Sequence, residues 1–218
     1  MARFLFPRWA NWIPTIVVFG ILGPLLLATV AGLWYYGSDK YLSVGYTPKQ
    51  PIAFSHKLHA GDMGIDCRYC HNTVERSAFA AVPSTQICMN CHWKVKTESV
   101  ALLPLRRSWA TGEPIPWVRI HRLPDYVYFD HSAHLAAGVG CSTCHGRVDE
   151  MVRVGQEAPL TMGWCLECHR NPAPYLRPLD QVTDMAWKPS LGAVPHGVLR
   201  NSVGRALQPP THCSGCHR

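Results

Sequence analysis

Charge is scarce in this sequence. Only 16% of its 218 residues are charged, while glycine and proline together number 35. Such a composition excludes a fold made mostly of long regular elements and describes a loop-rich chain. Charge is absent altogether from residues 9 to 38, WANWIPTIVVFGILGPLLLATVAGLWYYGS. The sequence also lacks an unpaired cysteine. Its ten cysteines fall into five C-x-x-C pairs: Cys67/Cys70, Cys88/Cys91, Cys141/Cys144, Cys165/Cys168 and Cys213/Cys216.

Each pair is followed at once by a histidine: His71, His92, His145, His169 and His217. C-x-x-C-H is the attachment signal of c-type haem. Two thiols add to the two vinyl groups of one haem, and the adjacent imidazole reaches its iron as proximal ligand. Zinc sites of the Cys₂His₂ kind set their histidines away from the second cysteine. A disulfide framework gives no reason for the histidines at all. The motif therefore implies five c-type haems, referred to below as sites 1 to 5 in chain order.

The uncharged run is long enough to cross a bilayer, which takes about 20 residues. Trp9 and Trp12 lie at one end and Trp34, Tyr35 and Tyr36 at the other, as in an aromatic belt. Pro24 is expected to kink the helix. Arg3 and Arg8 precede it, which places the N-terminus in the cytoplasm. The rival reading, a cleaved signal peptide, fits less well. The run exceeds a usual apolar signal core, and Thr29-Val30-Ala31 is a poor cleavage site. The expected organisation is a cytoplasmic N-terminus (1–12), a transmembrane anchor (13–37) and an extracytoplasmic haem domain (38–218). The chain is then a single-pass protein of the cytoplasmic membrane with its haem domain on the periplasmic side. The formal charge of +7 does not point to nucleic acid, because each haem brings two propionates, up to about −2 per haem near neutral pH.

The gaps between first cysteines are 21, 53, 24 and 48 residues, alternately short and long. That pattern suggests a duplicated unit. Phe54-Ser-His56-Lys-Leu-His59 precedes site 1, and Phe129-Asp-His131-Ser-Ala-His134 precedes site 3; both read F-x-H-x-x-H. PSTQICMNCH (83–92) aligns with PLTMGWCLECH (159–169) at the second site of each unit. The fold class expected is a multihaem cytochrome c with short helices and little sheet. It comprises two dihaem modules, 50–92 and 125–169, and a fifth haem in 196–218. Residues 93–130 join the modules, with a short helix in KTESVALLPLRRSW and an extended PWVRIHRLPDYVYF. Residues 170–211, with seven prolines, are expected to wrap sites 4 and 5.

Seven histidines remain for the sixth iron positions: His56, His59, His121, His131, His134, His196 and His212. Histidines three apart on a helical turn share one side. They do not reach one iron from the same direction, so F-x-H-x-x-H serves two irons, or supplies propionate partners. His121, in an aromatic stretch, is either the fifth distal ligand or a propionate partner. Further distal candidates are Met151, Met162, His196 and His212; methionine ligation raises a haem's potential.

The F-x-H-x-x-H…C-x-x-C-H modules resemble the small multihaem cytochromes of the c₃/c₇ type. That resemblance implies that His56 caps haem 1 and His131 haem 3, while His59 and His134 cross to other haems. The single N-terminal anchor, the five motifs, HRLPDYVYFDHSAH (121–134) and APLTMGWCLECHR (158–170) also resemble the pentahaem, membrane-anchored cytochrome subunit of alternative complex III. This second resemblance implies electron transfer in a quinol-oxidising respiratory complex. The implied partners are an iron–sulfur subunit resembling molybdopterin oxidoreductases, polytopic quinol-binding subunits and a monohaem cytochrome. It implies no catalytic residue in this chain, only an electron-transfer role. Two other classes stay open: a catalytic multihaem reductase, which needs an open iron, and an anchored quinol dehydrogenase acting alone. The uncharged helix offers no group to take up quinol protons.

Overall fold

The computed structural model describes residues 6–38, 43–188 and 208–217. The chain divides into two units, Met1–Ser43 and Val44–Arg218.

The first unit is built on one helix, α1 (Trp9–Gly37), with no buried residue in its apolar stretch. Its 29 residues rise about 43 Å at 1.5 Å per residue, more than the about 30 Å of a hydrocarbon core. Pro24 lacks the N–H that would bond the carbonyl four residues back. Just ahead of Pro24 the chain winds as a π-helix over Ile16–Leu22, and the Gly23 N–H donates to the carbonyl of Val18. The wider turn absorbs the missing donor. Arg3 lies outside the described residues.

The second unit strings short helices between loops. These are α2 (Lys57–Asp62), α3 (Cys67–Cys70), α4 (Thr85–His92), α5 (Leu103–Thr111), α6 (His131–Ala136), α7 (Cys141–His145) and α8 (Met162–Arg170), followed by a 3₁₀ turn at Cys213–Gly215. Among the described residues there is no sheet, only the isolated bridges Val127–His217 and Val139–Leu176. The helix starts are set by local capping. Asp66 accepts from the Arg68 N–H ahead of α3, Asp130 from Ser132 and Ala133 ahead of α6, and Thr161 from Trp164 ahead of α8. Short polar side chains at these positions satisfy first-turn donors. Gly112, at φ 75°, closes α5 in the left-handed region. The expected helix in 96–109 is therefore present as α5, and PWVRIHRLPDYVYF is not helical.

The duplication is visible in the fold, since α2, α3 and α4 recur in order as α6, α7 and α8. The two copies interlock. The Ala78 carbonyl, between sites 1 and 2, accepts from the His131 backbone N–H at 3.3 Å, and Ser77 from Ser132 at 3.3 Å. The Lys57 N–H donates to Met151 at 3.0 Å. Gly61 sits against this junction, where a Cβ would run into the Asp149 carbonyl.

Ordinary core is small. Ile52, Met89 and Leu105 form its centre, with Cys88, Leu102, Ile115 and Trp117 packed around them. Among the described residues no large side chain is fully buried. A unit of this length normally buries far more apolar surface of its own.

The proline-rich stretch has two described parts: residues 208–211 meet site 4, where the Pro210 carbonyl binds His169, while residues 170–188 lie on the segment around site 3. The Arg177 N–H donates to Gly138 at 2.9 Å, and the Cys141 N–H to Val182 at 3.0 Å. Arg177 also reaches the Asp184 carbonyl and Ser142 Oγ and lies 4.6 Å over the Trp187 ring. The reason is local: Gly138, at φ +91°, and Gly140 leave room where a Cβ would meet Arg177. Residues 189–207 lie outside the described set.

Candidate haem-binding sites

The ten cysteines form no disulfide with one another. Among the described residues, no group of three or more His, Cys, Asp or Glu side chains could hold a bare metal ion. The histidines instead meet in pairs. His131 and His145 have ring centroids 6.4 Å apart and planes within 7°. His59 and His92 are 6.3 Å apart, and His134 and His169 are 6.1 Å apart. A metal–nitrogen bond of about 2 Å on each side, plus about 1 Å from nitrogen to ring centre, puts two trans imidazoles about 6 Å apart. His56 lies within electrostatic reach of His71.

The outer nitrogens are tied down. Nδ1–H of His71 donates to the Ala81 carbonyl at 2.7 Å, His92 to Val95 at 3.1 Å, His169 to Pro210 at 2.7 Å and His217 to Tyr126 at 3.3 Å. The same holds for His59 to Ser55 at 2.8 Å, His131 to Ala78 at 2.7 Å and His134 to Asp130 at 2.6 Å. A carbonyl only accepts, so each Nδ1 keeps its proton and each Nε2 is left as the lone-pair nitrogen. That tautomer suits an iron ligand, and the outer hydrogen bond raises its basicity. The Nδ1 of His56 is buried without a hydrogen-bond partner.

His145 differs. Its Nδ1 lies 3.3 Å from Nε2 of His121, and the two rings meet edge-on with centroids 4.4 Å apart. If Nε2 of His145 faces an iron, its Nδ1–H donates to His121. The structure thus brings His121 to the back of His145, while the ring beside His217 is that of Tyr126, at 5.7 Å.

Burial keeps several of these imidazoles neutral. His145 is held down to about 3, by burial first and then by His121, His131, His71 and His56. His56 is lowered to about 4, again chiefly by burial, with His71 and His59 adding to it. His134 and His121 are lowered mainly by burial. A neutral imidazole is the form that ligates. The Cys144 thiol is pushed up to about 12, burial again leading.

The phenylalanine of F-x-H-x-x-H has a role that the sequence did not disclose. Phe54 stacks on His59 (4.4 Å, 25°) and meets His56 edge-on (4.8 Å, 88°). Phe129 repeats this with His134 (4.4 Å, 29°) and His131 (4.7 Å, 89°). One ring contacts both imidazoles of each motif, one face-on and the other edge-on. The recurrence of Phe at the same offset in both motifs was the available signal. The carbonyls of Ala78, Ala81, Val95 and Pro210 had no signal, since any residue supplies one.

Other sequence candidates are placed as follows. Met162 opens α8 with its side chain 67% exposed. Met151 is half-buried. His212 is exposed and precedes the turn that carries Cys213. His196 lies outside the described residues.

The family described as cytochrome c7 and related cytochrome c matches residues 52–103 and 127–218. The chain belongs to that family of multihaem cytochromes c, and electron transfer through covalently held haem is its function. It is also 34% identical over 122 residues to the "Menaquinone reductase, multiheme cytochrome c subunit" of Nitratidesulfovibrio vulgaris (strain Hildenborough). The match covers 56% of this chain and 55% of that protein, so the chain spans about half the length of this curated relative.

Proposed function

We propose that the chain binds five c-type haems and carries electrons between a membrane quinone-linked complex and a periplasmic partner. The haems supply one-electron Fe(III)/Fe(II) chemistry when bound. His71, His92, His145, His169 and His217 are the proximal ligands. Distally, His56 serves site 1, His59 site 2, His131 site 3 and His134 site 4. His121 serves as the hydrogen-bond acceptor of His145. His196, Met151 and Met162 remain as further distal candidates, and His212, which abuts Cys213, only toward a haem other than that of site 5.

The observation that carries this reading is the set of imidazole pairs at 6.1 to 6.4 Å. Irons closed on both sides by imidazole offer no position to a small substrate, which favours a wire over a reductase. The bound porphyrins complete the core that the side chains leave small. Helix α1 anchors the chain in the cytoplasmic membrane with the N-terminus inside and the haem domain on the periplasmic face.

The partners are those of a complex resembling alternative complex III: an iron–sulfur subunit, polytopic quinol-binding subunits and a monohaem cytochrome. In that setting quinol is oxidised and electrons flow outward. The relative's name supports a second reading, in which electrons enter from the periplasm and reduce menaquinone. Isolating the complex through a tag on this chain separates the two. Quinol-dependent reduction of a soluble cytochrome supports the first, and menaquinone reduction by a periplasmic donor supports the second. Mass measurement that finds fewer than five attached haems refutes the haem count. A large high-spin electron paramagnetic resonance signal in the oxidised protein refutes the closed wire.

A further inference from the structure

The order of haem sites along the chain differs from their order in space. Within the first module, Cys70 of site 1 lies within electrostatic reach of Cys88 and Cys91 of site 2. Within the second, Cys144 of site 3 stands in the same relation to Cys168 and Cys165 of site 4. The F-x-H-x-x-H turns repeat this linkage. His59 faces His92 while His56 lies near His71, and His134 faces His169 while His131 faces His145.

The modules meet through their first sites. The first cysteines of sites 1 and 3 share one clamp: the Cys141 N–H donates to the Val182 carbonyl at 3.0 Å, and the neighbouring Thr183 hydroxyl donates to Asp66, next to Cys67, at 3.0 Å. His145 of site 3 feels both His71 and His56 of site 1, and Nδ1 of His131 is held by Ala78 of the first module. Site 5 joins at the far end. Cys165 of site 4 lies within reach of Cys216, and Nδ1 of His169 is held by the Pro210 carbonyl, three residues before Cys213. Each inner site thus uses its two cysteines to face two neighbours. The only exposed cysteines, among the described residues, are Cys91 of site 2 and Cys213 of site 5.

We propose that the haem sites form a single file in the order 2–1–3–4–5, so that electrons enter and leave through sites 2 and 5. This rests on the five-haem reading above. The duplication explains it: two modules joined head to head through sites 1 and 3 leave sites 2 and 4 outermost, and the C-terminal segment extends the file from site 4.

The test is a redox titration of the haem-loaded full chain in detergent, followed by nuclear magnetic resonance. It measures how far reduction of each haem lowers the potential of every other. Haem signals are assigned to their cysteines with Cys→Ala variants. His59→Met, which keeps an axial ligand in place, marks site 2 independently. Coulombic coupling falls with separation, so sites 1 and 3 should couple at least about twice as strongly as sites 2 and 3. Coupling of 2 with 3 equal to or above that of 1 with 3 overturns the order. If His59→Met alters the haem on Cys67/Cys70 instead, the ligand assignment fails while the order is still decided by the couplings.

Discussion

His131 and His145 hold their imidazole planes within 7° of each other, with centroids 6.4 Å apart. Fourteen residues separate them, and they reach this position from different helices, α6 and α7. His134, one turn beyond His131, turns instead to His169. One short helix therefore presents a histidine to each of two C-x-x-C-H motifs, and in the first module His59 likewise faces His92. The physical cause is the different setting of the two imidazoles against a shared phenylalanine, one stacked and one edge-on.

That phenylalanine gives a first prediction. Phe129→Ala removes the ring that packs on both His131 and His134. Both imidazoles then gain rotational freedom, and half-buried ring contacts worth about 1 kcal/mol are lost. Sites 3 and 4 should both broaden in low-spin electron paramagnetic resonance, while sites 1 and 2 keep their spectra. Disturbance of one site alone would show that Phe129 does not couple the pair.

His121 gives a second. Its Nε2 accepts the Nδ1–H of His145 when that residue binds iron. Such an acceptor makes the ligand more basic and stabilises ferric iron. His121→Ala should raise the midpoint potential of the haem on Cys141/Cys144 and leave the haem on Cys213/Cys216 low-spin. A high-spin signal arising at the latter would instead make His121 a ligand there.

Asp66 gives a third, in acid. It caps α3 and bonds the Arg68 side chain, with Thr183 also donating to it. The hydrogen bond from Arg68 is the main reason its carboxyl is held down to about 2. A depressed carboxylate stabilises the fold above its unfolded value and loses that contribution as pH falls through the folded value. Asp66→Ala should therefore cost about 1 kcal/mol at neutral pH. The difference from wild type should shrink between about pH 4 and pH 2. Thermal melts at both ends of that range measure it; a constant difference would rule out the carboxylate as its source.

Much of this was legible in the sequence because haem attachment imposes a fixed local spacing. C-x-x-C-H announces the cysteines and the proximal histidines. F-x-H-x-x-H announces a turn with two imidazoles on one side, and the unequal gaps announce the duplication. What the sequence could not carry is long-range. Nothing in HRLPDY says that His121 lies behind His145. Nothing in the linear order of motifs says that site 1 meets site 3, because Cys67 and Cys141 come together only when the two copies interlock. The packing of residues 176–184 on site 3 depends on room left by Gly138 and Gly140, which becomes visible only beside Arg177. Pro24 was legible as a missing donor, but the π-helical turn ahead of it was not.

The central claim is that the second histidine of each motif crosses to a neighbouring haem. The most direct measurement is the spin state of each assigned haem in oxidised, haem-loaded His134→Ala. The account predicts that the haem on Cys165/Cys168 becomes high-spin while that on Cys141/Cys144 stays low-spin. A high-spin haem on Cys141/Cys144, with the other unchanged, would contradict it.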